Sequence, residues 1–311
     1  MAVDLRGKPI AITGAGTGIG AATALACASA GMPVALCGRR ADKLESIAGR
    51  IRSTGGQAIT MVVDVADVTA CRGFVQRTVA EFGSIYSVYA NAGWGYEKPI
   101  HAMSDEEMRS IFETNFFGTM NVIRPALEHM LRNPGSPRGH ILICSSCLAK
   151  MAIPHYGAYS ATKAAQNHVG RAMRLELEPL GVQVSTVHPI TTRTELFDKV
   201  RERSGIDQVA SHAPAFFTQD AEVVADKTIA CLRRPRPEVW TGFKGAVVRF
   251  GLSVNTLFPR LADFTVRGLA KQRNGLSVSA PAHGDGGSPT RPTSGGPSSP
   301  AQRTGASSTT A

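Results

Sequence analysis

From Lys8 to His188 the chain alternates short apolar runs with longer stretches in which apolar residues recur every three or four positions. Short runs closed by Gly, Asn or Asp read as strands buried on both faces, and the longer stretches read as amphipathic helices. The pattern predicts strands at Lys8–Thr13, Val34–Cys37, Gln57–Val63, Ile85–Ala90, His140–Cys144 and Val182–His188. It predicts helices at Ala21–Ala30, Asp42–Ser53 and Asp67–Phe82, a long one starting at Ser104, and another that carries Tyr159 and ends near Leu180. Asp67 is placed to cap its helix, and Ser104 with Glu107 has the spacing of a capping box. Six strands alternating with helices predict an α/β fold built on one Rossmann-like, doubly wound parallel sheet in a single domain.

Past the last predicted strand the pattern changes. Thr191–Gln219 is irregular, and its position after a strand suits a substrate lid. Beyond Thr241, residues Val247, Phe250, Val254, Leu257 and Leu261 keep helical spacing, with a break at Pro259. Leu276–Ala311 is almost all Ser, Gly, Pro, Thr and Ala, too polar to offset the entropy of ordering. The expected organisation is therefore a core at 1–241, a helical extension at 242–275 and a disordered tail at 276–311.

Composition narrows the function classes. The chain has 311 residues, 43% hydrophobic and 19% charged, which is ordinary for a globular protein. It contains no apolar run long enough to cross a membrane and no apolar core of a signal peptide behind Asp4, Arg6 and Lys8, so a cytoplasmic location is expected. Six scattered cysteines suit reduced thiols. Cys144 and Cys147 form a CxxC without a second ligand pair or a suitably placed helix start, so neither a metal site nor a redox motif is expected. The net charge of +10 is concentrated between Arg233 and Arg273, where nine Lys or Arg face two acids. No nucleic-acid reading motif accompanies it, so nucleic acid is not an expected partner. The patch is either a solvated basic face or a surface for an anionic partner. Packing of 242–273 on the core or an oligomer partner competes with peripheral membrane contact or cover for a lipid-like substrate.

The chemistry-bearing residues fall at strand ends. Thr13-Gly-Ala-Gly-Thr-Gly-Ile-Gly20 links a strand to an Ala-rich helix, the context in which glycines let backbone approach a pyrophosphate at a helix N-terminus. Where an NAD site usually has an acid, the next strand ends in Gly38-Arg39-Arg40, so a 2′-phosphate is favoured and the expected cofactor is NADP(H) over NAD(H). Asp64 and Asn91-Ala92-Gly93 follow two further strands. Asn115 sits amid Ile111, Phe112, Phe116 and Met120, either as a structural amide or as part of a site. Ser146 ends the fifth strand, and Tyr159 and Lys163 share a helix face at i and i+4. Alone, that pair reads first as an exposed Tyr and Lys on an amphipathic helix; a phenol working near neutral pH needs a neighbouring cation, and Lys163 is placed to be one.

Taken in order, these motifs resemble the short-chain dehydrogenase/reductase family over Gly7 to about Thr241. The resemblance implies a catalytic tetrad of Asn115, Ser146, Tyr159 and Lys163. Tyr159 would exchange a proton with the substrate oxygen and Ser146 would hydrogen-bond it. Lys163 would hold the nicotinamide ribose and lower the Tyr159 pKa, while Asn115 would hold a water that links Lys163 to solvent. It implies a cofactor contact set of Gly14, Gly16, Thr17, Gly18, Ile19, Gly20, Arg39, Arg40, Asp64, Val65, Asn91, Ala92, Gly93, Tyr159, Lys163, Pro189, Thr192 and Thr194. The family's Pro-Gly is here Pro189-Ile190, which bears on the nicotinamide pocket. Trp94, Tyr96, Met151, His155 and Phe197 are candidate substrate contacts, with ordinary core or rim positions as the alternative. The implied partners are a small carbonyl or alcohol substrate and further copies of the chain, as a homodimer or homotetramer. A catalytically silent dinucleotide-binding scaffold is the alternative function. A nucleotide-sugar epimerase or dehydratase would need a larger C-terminal domain than the remaining residues supply.

Overall fold

The structure, a computed structural model, describes residues 2–151, 153–195, 218–257 and 260. Seven parallel strands form one sheet: β1 (Ile10–Thr13), β2 (Val34–Gly38), β3 (Ala58–Val62), β4 (Ser87–Ala90), β5 (Gly139–Cys144), β6 (Val182–His188) and β7 (Glu238–Trp240), in the order β3-β2-β1-β4-β5-β6-β7. All six predicted strands are present, and β7 adds a short edge that pairs Val239 with Val187. Strand order reverses between β1 and β4, which opens the crevice at the carboxyl ends of the strands where ligands bind in such sheets.

Both sheet faces are apolar because consecutive strand residues point to opposite sides. Ile10, Ile12, Leu36 and Leu142 pack on one side against α1 (Gly18–Ser29), α2 (Ala41–Ser53) and α7 (Ala221–Arg233). Ala11, Ala35, Val88, Ile141 and Ile143 pack on the other against α3 (Val68–Phe82), α5 (Gly118–Met130) and α6 (Gly157–Leu177). The predicted caps are formed: Asp67 accepts from the Ala70 amide, and Ser104 and Glu107 make both bonds of the capping box at the start of α4 (Asp105–Phe112).

Three elements differ from expectation. Helix α1 starts at Gly18, so the last glycines of the turn belong to its first turn. The long helix expected from Ser104 is interrupted by a π-helical turn, Glu113–Phe117, before α5 continues. Such a turn inserts an extra residue into the helix, and here it carries Asn115, fully buried. Helix α8 (Gly242–Leu257) follows β7 after Thr241, but the rest of the extension, the tail and 196–217 of the expected lid lie outside the described residues.

His140 on β5 is fully buried, and its Nε2 meets Ser185 Oγ at 2.8 Å. Burial pushes its pKa down to about 3. The unfolded chain therefore binds a proton that the native chain does not, so this contribution is intact above about pH 6.5 and is lost progressively as pH falls toward the native value. Chemical unfolding at pH 7 and pH 5 is expected to differ by about 2 kcal/mol in stability, with the acid sample weaker. His188, whose pKa burial also lowers, acts in the same direction.

Candidate active site

The site lies where the ends of β1, β4, β5 and β6 meet. Thr13 Oγ1 at the end of β1 accepts from the Asn91 and Ala92 amides at 3.0 and 2.9 Å. Asn91 Nδ2 returns to the Thr13 and Gly14 carbonyls at 3.0 and 3.3 Å, so the glycine turn and the end of β4 form one rigid unit. Gly18 has φ +56°, and a Cβ there would stand 2.9 Å from Thr194 Cγ2. A Cβ on Gly20 would lie 2.3 Å from the Gly14 carbonyl oxygen, so only glycine lets α1 approach β1 this closely. Gly16 rests on Lys43 and Ile19 on the core beside α1. Thr17 provides no side-chain cap for α1, leaving the first turn of a twelve-residue helix facing the turn. A pyrophosphate fits this cradle of close-approach glycines and uncapped helix N–H groups.

At the other end of the crevice, Arg39 Nη1 lies 3.9 Å from Asp64 Oδ2, both half exposed. Arg40 Nη2 donates to Thr17 Oγ1 at 3.2 Å and to Glu195 Oε2 at 2.8 Å, tying the second strand's end to the glycine turn and to the segment after β6. Asp64 Oδ1 accepts from the Ala66 amide. Val65 is buried; its carbonyl accepts from Asn121 Nδ2 at 2.9 Å.

The catalytic candidates converge on α6. Lys163 is buried and donates to the Cys144 carbonyl at 2.8 Å, with Nζ 5.5 Å from the centre of the Tyr159 ring. A Cβ on Gly93 would lie 3.1 Å from Asn115 Oδ1 and 3.4 Å from Lys163 Nζ, which puts the end of β4 against both. Ser146 is buried at the end of β5; its Oγ accepts from the Leu148 amide at 3.1 Å, and its side chain lies beside the Tyr159 phenol. Burial pushes the Tyr159 phenol above its ordinary value, and the neighbouring Ser146 side chain works in the opposite direction. Burial likewise lowers the pKa of Lys163. The expected lowering of the Tyr159 pKa by Lys163 is not found here: loss of water around the phenol raises it instead.

Asn115 is held on all sides. Its Oδ1 accepts from the Trp94 amide at 2.9 Å, and its Nδ2 donates to the Trp94 carbonyl at 2.9 Å and Thr162 Oγ1 at 3.0 Å. Its main-chain oxygen accepts from Gln166 Nε2 at 2.6 Å and Thr119 Oγ1 at 2.8 Å. Thr162 and Gln166 were not among the sequence candidates, although 159, 162, 163 and 166 form one helical stripe that points to them. His188 was also missed: fully buried, it donates through Nδ1 to the Ser146 carbonyl at 3.0 Å and stacks on Trp240 at 4.7 Å.

Pro189 is buried, and its carbonyl accepts from the Cys147 amide at 3.0 Å. Ile190 is buried as well, and its carbonyl accepts from Thr192 Oγ1 at 2.8 Å. Trp94 and Tyr96 meet edge to face at 5.7 Å, and Tyr96 is tied to Glu107 on α4. Met151 is half-buried, and His155 has φ +69°, a strained value for a non-glycine residue beside α6. Phe197 lies outside the described residues. Cys144 is buried and Cys147 half-buried, and neither is in a disulfide.

This sheet, glycine turn and Ser–Tyr–Lys cluster define a dinucleotide-dependent oxidoreductase of the Rossmann type. Residues 8–205 match the short chain dehydrogenase family, and the chain belongs to it. An uncharacterized oxidoreductase, Lin0452 of Listeria innocua, is 30% identical over 203 residues, 65% of this chain and 81% of the relative. A short-chain type dehydrogenase/reductase from Mycobacterium marinum superposes with a TM-score of 0.66 at 31% identity, covering 74% of this chain and 89% of that one. The alcohol dehydrogenase of the archaeon Thermococcus sibiricus, complexed with 5-hydroxy-NADP, gives 0.65 at 27% identity, covering 75% and 94%. Among the described residues no helix is long and apolar enough to cross a membrane.

Proposed function

We propose that the chain uses NADP(H) to interconvert a carbonyl and a secondary alcohol on a fairly apolar substrate. The observation that carries this reading is the convergence of Ser146, Tyr159, Lys163 and Asn115 at the strand ends beside the glycine turn. When bound, the reduced nicotinamide supplies the hydride. Tyr159 gives its phenolic proton to the carbonyl oxygen, and in the reverse direction takes it from the alcohol. Ser146 hydrogen-bonds the same oxygen and stabilises the charge that develops on it. Lys163, fixed by the Cys144 carbonyl, holds the nicotinamide ribose, and Asn115 holds the loop at Trp94 against α6. Gly14, Gly16, Thr17, Gly18, Ile19 and Gly20 cradle the pyrophosphate, and Asp64, Val65, Asn91, Ala92 and Gly93 line the adenosine side. Pro189, Thr192 and Thr194 border the nicotinamide, with Trp94, Tyr96, Met151 and His155 on the substrate side. Residues 1–241 form the catalytic unit, and six unpaired cysteines suit a cytoplasmic setting.

Arg39 and Arg40 support NADP(H) over NAD(H), because both stand at the end of β2 where the adenosine ribose is read. A charge-assisted hydrogen bond to a 2′-phosphate contributes about 1.5–3 kcal/mol. Arg39→Ala is therefore expected to raise the Kd for NADPH by roughly ten- to hundredfold and to leave that for NADH nearly unchanged, as read by fluorescence titration. Equal weakening of both would reject Arg39 as the discriminating residue.

Exposed Phe117 before α5 and Leu175 on α6 leave apolar surface that a homodimer or homotetramer would cover. The basic extension at 242–273 makes peripheral contact with an anionic membrane. The enzymatic reading is tested by assaying ketones, steroids, retinoids and acyl substrates with NADPH and with NADH. NADPH-dependent turnover of an apolar carbonyl is expected. Stabilisation by NADPH without turnover of any substrate would favour a silent scaffold.

A further inference from the structure

At the β7 edge of the sheet, away from the glycine turn, α6, β7 and α8 enclose a cleft of about 500 Å³. Its walls are Arg171 and Arg174 from α6, Arg236, Pro237 and Glu238 at the start of β7, and Arg249 from α8. Four arginines and one glutamate thus line a single space. That carboxylate is engaged, since Glu238 accepts from Lys150 Nζ at 2.8 Å and from Trp240 Nε1 at 3.1 Å. Arg174 is paired with Glu178 at 3.2 Å. Like charges gathered around one cleft raise its potential and attract an anion. Guanidinium forks match phosphate oxygens two at a time.

The rim of the cleft adds a second property. Beside Arg249 on α8, Val247 and Phe250 are 43% and 73% exposed. At i and i+3 they share a side of the helix, and an aromatic ring in water gains nothing there. Exposed apolar side chains bordering a cluster of cations are what an interfacial helix presents to a membrane, with the rings in the acyl boundary and the cations on the headgroups.

We propose that the cleft binds a phosphate group, and that its source is the headgroup of an anionic phospholipid, with Phe250 and Val247 seated in the membrane interface. This deepens the membrane-contact reading. Arg171, Arg174 and Arg236 lie outside the basic extension, so the site is composite, and truncating the extension removes only part of it. None of its residues belongs to the Ser146–Tyr159–Lys163 cluster.

The test uses the full chain and its exposed-site variants Arg171→Glu, Arg236→Glu and Phe250→Ser, in co-sedimentation with phosphatidylcholine vesicles with and without phosphatidic acid. The wild type is expected to pellet only with the anionic vesicles. Each arginine reversal is expected to weaken this by about fivefold or more, and Phe250→Ser by roughly tenfold, with NADPH turnover unchanged in all three. In a parallel arm, glycerol 3-phosphate is added during thermal unfolding. Stabilisation of the wild type but not of the arginine variants, without vesicle binding, keeps the phosphate site and assigns it to a soluble phosphate ester. No response to either probe overturns the proposal, as does equal pelleting of wild type and variants. A change in oligomeric state of the arginine variants without any phosphate response also overturns it, and makes the cleft an interface between copies. Vesicle binding by a wild type that shows no NADPH turnover sinks the oxidoreductase reading and leaves the cleft standing.

Discussion

Tyr159→Phe is expected to lower kcat for carbonyl reduction by roughly 10²–10⁴-fold, the usual contribution of a positioned acid. NADPH affinity should change little, because the substitution removes one hydroxyl and leaves the ring against Tyr156 at 6.4 Å and Lys163 at 5.5 Å. The loss therefore falls on kcat, with the Kd for NADPH as the internal control. The pH dependence has a definite sign. Burial raises the phenol pKa, so the proton needed for reduction is present at neutral pH and is lost only as pH climbs through the raised value. Alcohol oxidation needs the phenolate, so its rate should rise with pH over the same range in which reduction stays level. Both dependences should vanish in the residual activity of Tyr159→Phe.

Gly20→Ala is expected to damage fold and cofactor site together. The added methyl would meet the Gly14 carbonyl oxygen at 2.3 Å, the Gly14 carbonyl carbon at 2.9 Å and Asn91 Nδ2 at 2.7 Å. Two of these are backbone atoms that cannot swing away, and the third is the amide that ties the glycine turn to β4. Overpacking of this kind costs about 3 kcal/mol. For a chain of this size it lowers Tm by roughly 6–12 °C. Thermal unfolding with and without NADPH separates the two effects: the variant should melt lower and should lose most of the stabilisation that NADPH gives the wild type. Unchanged melting would mean that α1 does not approach β1 as closely as described.

The features legible in the sequence were those with a local cause. Strand positions follow from apolar runs, and the starts of α3 and α4 from Asp67, Ser104 and Glu107, whose hydrogen bonds span only a few residues. The π-helical turn at Asn115 was not legible, because periodicity continues through it while the extra residue answers to contacts with Trp94, Thr162 and Gln166 far along the chain. Tyr159 and Lys163 were visible as an i, i+4 pair, but the environment that sets their protonation was not. Spacing placed a cation near a phenol, and it took the fold to reveal that burial dominates both groups. The Arg40–Glu195 pair, the His188 contact with Ser146 and the arginine cleft all join segments from distant parts of the chain, which no window along it can pair.

The central claim is that Tyr159 supplies the proton for reduction of a carbonyl by NADPH. Its most direct measurement is single-turnover oxidation of NADPH by excess full-length enzyme in the presence of an active carbonyl substrate, run in parallel on wild type and Tyr159→Phe with NADPH binding verified in each. The account predicts alcohol formation matching NADPH consumed in the wild type and a rate reduced by at least about a hundredfold in the variant. Equal rates in the two proteins would contradict it.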